Sequence, residues 1–508
     1  MTKKVDPRLP RGMRDILPQQ MILRQYVVDV IRDVFEEFGF EPLQTPAVEL
    51  EETLKGKYGS DAERLIYDVG HSGGKENLAL RYDLSVPLCR VAAQYPELTK
   101  PLKRYQIAPV WRAERPQKGR YREFYQCDAD TVGSDSMLAD AEIVNVIYEI
   151  LTRLGFEKFV ININNRKIIA GIGQLAGVPD ELLGGLYRSI DKLDKIGLEG
   201  VEAELRKTGL EDAISALRKA QATKKVITDL IQALREADLT AIETRLRQAD
   251  LENEAIAMLV SQLAALELES IATIPDAVIK RLLEFLQIGG SNDEILAQLR
   301  KWLANYPEAL AGVTELEEMT RYLKALGIPE EYYPVVPSMV RGLAYYTGPI
   351  YETIVEEPNI GSITGGGRYD ELIGMFAKHS YPATGTTIGI ERIIDVMKEL
   401  EMFPPAVGKT VAQILVTQFN PDLVTESLKM ARELRQAGLN VELYFENDPL
   451  GKQIRYALKK GIPYVVILGP DEVIAGQAAI RNLQLKQQET VPRGQAAARI
   501  KVWQSPTK

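Results

Sequence analysis

Residues 111–130 read WRAERPQKGRYREFYQCDAD. The runs Tyr105–Trp111 and Phe124–Asp130 are strand-like in sequence. Pro116 and Gly119 mark a loop between them. The stretch therefore predicts two antiparallel strands joined by a loop.

Basic side chains are concentrated in this hairpin. Between Lys103 and Arg122 seven residues are basic, and only Glu114 is acidic. Guanidinium groups pair with phosphate oxygens two at a time, so the hairpin predicts a cationic wall that holds a polyphosphate. The alternative is a solvated basic loop on an exposed hairpin. The basic residues are Lys103, Arg104, Arg112, Arg115, Lys118, Arg120 and Arg122.

The sequence around the hairpin predicts an α+β domain. Apolar residues recur at three- and four-residue steps after Pro18, which predicts a helix that ends near Gly39. Asn77–Arg81 resembles a strand, and a second helix is predicted around Asp140–Leu154. The strand residues are polar and aromatic along one side, which suits an antiparallel sheet with one face open to a ligand.

Composition divides the chain into four segments. Residues 166–330 are rich in Leu, Ala, Glu, Lys and Arg and poor in aromatic residues, which predicts a helical insertion. It separates the two parts of the sheet domain, residues 1–165 and 331–402. Residues 409–508 alternate strands with helices and predict a separate α/β domain.

Two helices of this last domain have recognisable faces. One helix is predicted to place on one apolar face Val424, Leu428, Ala431 and Leu434. The other has a basic stripe, which either contacts phosphate or is a solvated face. The stripe consists of Lys452, Arg455, Lys459 and Lys460.

Residues 340–348 read VRGLAYYTG. The run predicts a strand over Tyr345–Thr353, preceded by a cation at Arg341. Side chains alternate along a strand, so Tyr345 and Tyr346 are expected on opposite faces, with only one of them in a pocket. The alternative is that both tyrosines are packing residues.

Two further segments carry candidate binding residues. Residues 362–370 read SITGGGRYD, whose glycines allow close approach of a ligand to the backbone or form a plain hairpin turn. Residues 384–397 read TGTTIGIERIIDVM, a strand followed by a helix that opens at Glu391 and Arg392. An arginine in a first helical turn opposes the helix dipole, so Arg392 indicates a nearby anion. An exposed helical arginine is the alternative.

Bulk composition excludes several classes of protein. The formal net charge of −9 does not exclude a nucleic-acid partner, because local grooves decide binding. Cys89, Cys127, His71 and His379 are too few and too scattered for a zinc site or a disulfide framework. The N-terminus has no apolar signal segment, and no apolar run is long enough to span a membrane. We therefore expect a cytoplasmic protein.

Together these segments resemble the signature set of class II aminoacyl-tRNA synthetases, and specifically the histidyl-tRNA synthetase family. RGLAYYTG and TGGGRYD resemble the two segments peculiar to the histidine enzymes. The other similar segments are RGMRDILP (11–18), FEPLQTPAVE (40–49, motif 1), LALRYDLSVP (78–87, the histidine-site strand), residues 111–130 (motif 2) and residues 385–397 (motif 3).

The resemblance implies a histidine–tRNA ligase with ATP as substrate, Mg²⁺ and tRNA(His). It also implies a homodimer, with Pro46 at the interface. The fold implied is a class II antiparallel sheet flanked by helices, with the helical insertion near the tRNA acceptor stem and a C-terminal anticodon-binding domain.

The family roles carry over as implications for single residues. Arg112 and Arg341 act at the α-phosphate and the histidine carboxylate. ATP is held by Arg112, Glu114, Arg120 and Arg392. The ammonium group is held by Asp83, Ser85 and Gln126. The imidazole is read by Asp130 and Tyr346, with Tyr345 beside them and Tyr369 closing the pocket.

One residue differs from the family pattern, and three alternative functions compete with this interpretation. Related enzymes commonly carry an aspartate where this chain has Ala344, so the support that this aspartate gives to Arg341 or Tyr346 is expected to be absent. The first rival is a catalytically inactive regulatory paralogue of the kind found with ATP phosphoribosyltransferase. The others are a class II synthetase for another amino acid and a pure RNA-binding module.

Overall fold

A computed structural model describes residues 5–58, 63–71, 73–117, 119–249, 253–266, 268, 272–340, 345–405 and 407–504. The chain forms two units. One consists of Met1–Met13 and Val30–Val396, and the other of Arg14–Asp29 and Met397–Lys508. No helix in the described ranges combines the length and the apolar content that a membrane crossing requires.

The helices and strands before the insertion follow the predicted order. The helix after Pro18 is confirmed, and Gly39 follows it with a φ of 74°. The elements are α1 (Pro18–Glu37), β1 (Glu41–Pro42), β2 (Val48–Leu50), α2 (Glu51–Leu54), β3 (Asp68–Val69), β4 (Leu78–Leu80), α3 (Ser85–Gln94), β5 (Leu102–Trp111), β6 (Glu123–Val132), α4 (Met137–Arg153) and β7 (Phe159–Asn165).

Ten helices of the described chain follow without an intervening strand, as the composition predicts. Leu230, Leu234 and Ile242 are buried within a core that α8–α11 form among themselves, and the last helix packs against α4 and α5. The helices are α5 (Arg166–Ala176), α6 (Asp180–Ile190), α7 (Leu193–Leu205, interrupted at Gly197), α8 (Glu211–Lys219), α9 (Lys224–Arg235), α10 (Leu239–Arg247), α11 (Asn253–Ala264), α12 (Asp276–Leu286), α13 (Asn292–Trp302) and α14 (Pro307–Ala325).

Three strands and a helix then follow the insertion. They are β8 (Pro349–Val355), β9 (Thr364–Arg368), β10 (Ala383–Ile388) and α15 (Ile390–Glu399). The main sheet has seven strands in the order β1-β5-β6-β10-β9-β8-β7. Only β1 and β5 pair in parallel, and every other neighbouring pair in this sheet is antiparallel. The predicted α+β class with an antiparallel sheet is confirmed.

The second unit contains the predicted α/β domain. Its sheet has the order β12-β11-β13-β14-β15, with β11 parallel to both of its neighbours. The elements are β11 (Ile414–Val416), α16 (Val424–Gln436), β12 (Val441–Leu443), α17 (Leu450–Lys460), β13 (Tyr464–Ile467), α18 (Pro470–Ile474), β14 (Gln477–Asn482), β15 (Gln487–Pro492) and α19 (Ala496–Gln504).

One predicted helix face is wrong. Leu428 is 51% exposed, whereas the buried residues of α16 are Ser427, Met430, Ala431 and Leu434. These four positions have the helical spacing i, i+3, i+4 and i+7. Leu428 lies one position around the helix from Ser427, and it therefore projects to the side of the apolar face.

Candidate active site

The open face of the main sheet carries a cavity of about 350 Å³. Its floor is formed by β6, β10, β9 and β8, and alternation along β6 directs Gln126, Asp128 and Asp130 into it. Eight predicted site residues, drawn from four separate stretches of the chain, line this one cavity. They are Asp83, Ser85, Arg112, Gln126, Asp130, Tyr345, Tyr346 and Tyr369.

Asp83 and Ser85 enter the cavity from the start of α3. Oδ1 of Asp83 accepts hydrogen bonds from the Tyr58 hydroxyl, at 2.9 Å, and from the Val86 amide, at 3.0 Å. The hydrogen bond from the Val86 amide ties the carboxylate to the first turn of the helix, whose dipole favours negative charge. Its Oδ2 accepts no hydrogen bond within the described chain, so it is free to meet a donor.

Asp130 is held by two described side chains. The Tyr369 hydroxyl donates to its Oδ1, and Nη2 of Arg104 lies 2.9 Å from its Oδ2. Arg104 is fully buried, so it is not part of the exposed cationic wall to which the sequence assigned it. Lys103 also lies outside the loop and pairs with Glu142.

Burial is the main influence on the pKa values of the aspartates in the first cavity. Removal from water raises the pKa of Asp83, Asp128 and Asp130, and the pKa of Asp128 rises to about 8. Arg104 opposes the rise at Asp130 and Asp128, and Arg112 opposes it at Asp83. A ligand that brings positive charge or N–H donors would stabilise the ionised carboxylates.

The prediction that Tyr345 and Tyr346 lie on opposite faces of a strand is wrong. Strand β8 begins only at Pro349, so the alternation of strand side chains does not apply to them. Both side chains line the cavity, with their rings 5.0 Å apart. Tyr345 also contacts the ring of Tyr369, at 5.9 Å. The three tyrosines form one aromatic cluster.

The glycine run is a central strand rather than a hairpin turn. Gly365, Gly366 and Gly367 all lie in β9. A Cβ on Gly366 would lie 2.3 Å from the Gly385 carbonyl oxygen, whereas a Cβ on Gly365 would meet no atom within 4 Å. Gly366 is therefore required for packing, and Gly365 leaves open space above the sheet.

A second cavity of about 260 Å³ adjoins the first and shares Arg112, Gly365 and Thr387 with it. It contains the remaining described candidates for nucleotide binding, Glu114, Arg120 and Arg392. Arg120 pairs with Glu114 at 3.2 Å, and Nη1 of Arg392 donates to the Ser362 carbonyl oxygen. The cationic wall therefore consists of fewer residues than the sequence indicated.

Arg112 is positioned at the junction of the two cavities. Its guanidinium lies 4.3 Å from the ring centre of Tyr82 and 5.1 Å from that of Phe124, and its Nε donates to the Tyr82 carbonyl oxygen at 3.1 Å. Cation–π contacts on this scale hold a guanidinium in place. Arg112 can therefore contact ligands in both cavities.

Three residues singled out in the sequence, Arg341, Ala344 and Lys118, lie outside the described residues. Conversely, the sequence interpretation missed Asp128 and Thr387, which line the first cavity. Both had a detectable signal. Asp128 lies between Gln126 and Asp130 at strand spacing, and Thr387 is its direct partner on β10.

Comparison with known proteins supports the assignment of the whole chain. The family model for histidyl-tRNA synthetase matches residues 12–252 and 239–393, and the model for the anticodon binding domain matches residues 413–503. A histidine–tRNA ligase of Gloeobacter violaceus is 37% identical over 512 residues, covering 95% of each chain. One of Aeropyrum pernix is 38% identical, covering 97% of this chain and 98% of its own.

A solved structure agrees with these sequence matches. The crystal structure of histidyl-tRNA synthetase from Nostoc sp. PCC 7120 is similar to 98% of this chain, with a TM-score of 0.76 and 30% sequence identity. The chain belongs to the histidyl-tRNA synthetase family. A structure from Bacillus halodurans described as an ATP phosphoribosyltransferase regulatory subunit/histidyl-tRNA synthetase is 19% identical and shares the fold alone. The full-length similarity to histidine–tRNA ligases does not favour the regulatory paralogue.

Proposed function

We propose that the chain is a histidine–tRNA ligase that works in two steps. In the first step, a carboxylate oxygen of histidine attacks the α-phosphorus of ATP, and pyrophosphate leaves to give histidyl-adenylate. In the second, a hydroxyl at the 3′ end of tRNA(His) attacks the histidyl carbonyl, and AMP leaves. The observation that carries this proposal is that Arg112 lines both cavities, where it can contact both reacting groups.

The nucleotide cavity supplies positioned positive charge rather than acid–base groups, which is what displacement at a polyphosphate requires. Arg112 grips the α-phosphate and the histidine carboxylate. Glu114 and Arg120 hold adenine and the outer phosphates, and Arg392 contacts the γ-phosphate. Arg341 stabilises the charge that develops during the attack.

The first cavity recognises histidine by its nitrogen atoms. Asp83, Ser85 and Gln126 take the ammonium group, while Asp130 and Tyr346 meet the two imidazole nitrogens. An amino acid without these nitrogens would leave buried polar groups unpaired, which is the strongest basis for rejection at a binding site. Tyr345 and Tyr369 enclose the ring.

Mg²⁺ is proposed to arrive with ATP, bound mainly through its phosphates. The carboxylates of Glu114 and Glu391 line the nucleotide cavity and provide the hard oxygen ligands that Mg²⁺ prefers. When bound, the ion would neutralise phosphate charge. No group of three or more His, Cys, Asp and Glu side chains in the described ranges is placed to hold a metal by itself.

The second unit is proposed to bind the anticodon of tRNA(His). Four basic residues are exposed along α17, although Lys452 pairs with Asp448 and Lys460 with Glu442. Phe445 is 81% exposed just after β12. An exposed aromatic ring close in sequence to a basic helix suits the stacking of unpaired bases.

Assembly and location follow from the same proposal. We propose a homodimer in which Pro46 lies at the interface, because Val48 and Leu50 beside it are apolar and 37% and 40% exposed. A cytoplasmic location is consistent with Cys89 and Cys127, neither of which forms a disulfide. The mass of the chain in solution, measured by light scattering, tests the dimer.

The deciding experiment is amino-acid-dependent exchange of pyrophosphate into ATP. We expect exchange with histidine and with none of the other nineteen standard amino acids. Exchange with a different amino acid would reassign the substrate. The absence of exchange with every amino acid would instead indicate a regulatory paralogue.

A further inference from the structure

Asp128 is a buried carboxylate in the first cavity to which the proposed mechanism assigns no role. Its side chain is 2% exposed and lines the cavity. Within the described chain, its Oδ1 accepts no hydrogen bond. A buried ionisable oxygen without a partner is costly unless a ligand supplies a donor.

The Asp128 carboxylate has Thr387 as a side-chain hydrogen-bond partner. Nε2 of Gln126 donates to Oγ1 of Thr387 at 3.0 Å, and Thr387 is hydrogen-bonded to the Asp128 carboxylate. Because Gln126 occupies the acceptor side of the hydroxyl, the proton of Thr387 points to Asp128. These hydrogen bonds orient the Asp128 carboxylate and leave Oδ1 available to the cavity.

The surrounding polar atoms are acceptors as well. Oε1 of Gln126 and Oδ2 of Asp83 also accept no hydrogen bond from the described residues. At Asp130, the Tyr369 hydroxyl donates to Oδ1, whereas Oδ2 accepts no hydrogen bond but forms an ion pair with Arg104 at 2.9 Å. The unsatisfied atoms of the cavity therefore favour a ligand rich in N–H donors. Of the two β6 aspartates in the cavity, Asp128 is the one with an oxygen that neither a hydrogen bond nor an ion pair of the described chain reaches.

We propose that Asp128 is a further specificity-determining residue, whose Oδ1 accepts a hydrogen bond from an N–H group of the bound amino acid. It lies between Gln126 and Asp130, the residues proposed for the ammonium and the imidazole. The donor is thus either the α-ammonium or a ring N–H. The inference rests on the proposed function for the identity of the amino acid.

The test is Asp128→Asn in the full chain. The amide oxygen of asparagine can still accept from Thr387, but its NH₂ then faces the ligand donor. We expect the KM for histidine in pyrophosphate exchange to rise about 10- to 100-fold, since a hydrogen bond to a charged group is lost. The KM for ATP should stay within about threefold, because Asp128 does not line the nucleotide cavity. Asp128→Ala should also raise the KM for histidine, and it serves as a second variant if asparagine impairs folding.

Cys127→Ala is the matched control. Cys127 immediately precedes Asp128 on the same strand and is fully buried, but its side chain points to the opposite face of β6. Its KM for histidine should match that of the wild type. Unchanged KM for histidine in folded Asp128 variants, or a larger effect on the KM for ATP, would overturn the proposal.

Calorimetric binding of histidine without ATP separates this proposal from the proposed function. If wild-type protein binds histidine and Asp128→Asn binds it equally well, Asp128 has no contact with the ligand, whatever the enzyme catalyses.

Discussion

Nη2 of Arg104 lies 2.9 Å from Oδ2 of Asp130, and the two side chains are 1% and 3% exposed. The same Nη2 is 3.0 Å from the Leu84 carbonyl oxygen, immediately between Asp83 and Ser85. One buried guanidinium therefore links strand β6 to the start of α3. These two regions supply the lining residues Asp83, Ser85, Gln126, Asp128 and Asp130 of the first cavity.

Arg104→Met should destabilise the protein by about 3–5 kcal/mol, because it leaves the Asp130 carboxylate buried without its cation. Urea denaturation of the full chain measures the change. Lys103→Met is the control, since Lys103 is partly exposed and its ion pair with Glu142 contributes at most about 1 kcal/mol. Similar losses in the two variants would contradict a buried structural role for Arg104.

Tyr369→Phe should raise the KM for histidine about tenfold, because Asp130 loses the hydroxyl that orients and stabilises its carboxylate. Steady-state pyrophosphate exchange at several histidine concentrations measures it. Tyr105→Phe removes a comparable bond, from the Tyr105 hydroxyl to Glu36 at 2.8 Å, outside the two cavities. An equal effect in both variants would mean that Tyr369 acts only through general stability.

The stability of the ligand-free protein should depend on Asp128 between about pH 4 and pH 8. In this range the folded protein retains a proton on Asp128, whose pKa is raised to about 8, whereas the unfolded chain, with an ordinary aspartate pKa of about 4, releases it. The folded state therefore loses stability as the pH rises. Asp128→Asn removes this contribution. The melting temperature of the variant minus that of the wild type should therefore increase from pH 5 to pH 8.5. Parallel pH profiles would show that Asp128 titrates normally.

Gly365→Ala should fold normally but lose activity. Its added methyl group meets no protein atom within 4 Å, and it would project into the space that both cavities share. We expect kcat/KM for exchange to fall about 100-fold, because the reacting groups would be displaced by about 1 Å. In Gly366→Ala the methyl would overlap the Gly385 carbonyl oxygen, so this variant should lose stability instead. Normal activity in folded Gly365→Ala would place the reaction elsewhere.

Arg341→Ala should abolish exchange and leave the melting temperature unchanged. The expectation comes from the family resemblance, since Arg341 lies outside the described residues, and it tests the proposed stabilisation of charge during attack on the α-phosphate. Arg247→Ala is a control, because Arg247 is an exposed partner of Glu243. Near-normal turnover in Arg341→Ala would remove its proposed role.

Much of the site could be predicted from the family resemblance, which named Gln126 and Asp130. Period-two alternation along β6 explains why both side chains face the first cavity. The same rule failed for Tyr345 and Tyr346, since the strand begins later than their sequence suggests. Strand ends depend on tertiary pairing, which local propensity does not specify.

Other features depend on contacts between distant parts of the chain. No local pattern shows that Arg104 is buried while Arg120 is 48% exposed, because both are arginines of the same hairpin. The glycine run is compatible with a turn until β8 and β10 pair on either side of it. The helical character of the insertion, in contrast, is a compositional property and was predicted correctly.

The junction that Arg112, Gly365 and Thr387 share has a pharmacological consequence. Because no side chain at position 365 divides the two cavities, a single elongated molecule can occupy both at once. One such molecule is a non-hydrolysable acyl-sulfamate of adenosine that carries an imidazole. Its sulfamate linker would reach Arg112, and its imidazole end would reach the aspartates of the first cavity, Asp83, Asp128 and Asp130. Such an inhibitor gains from both sites while losing translational freedom only once.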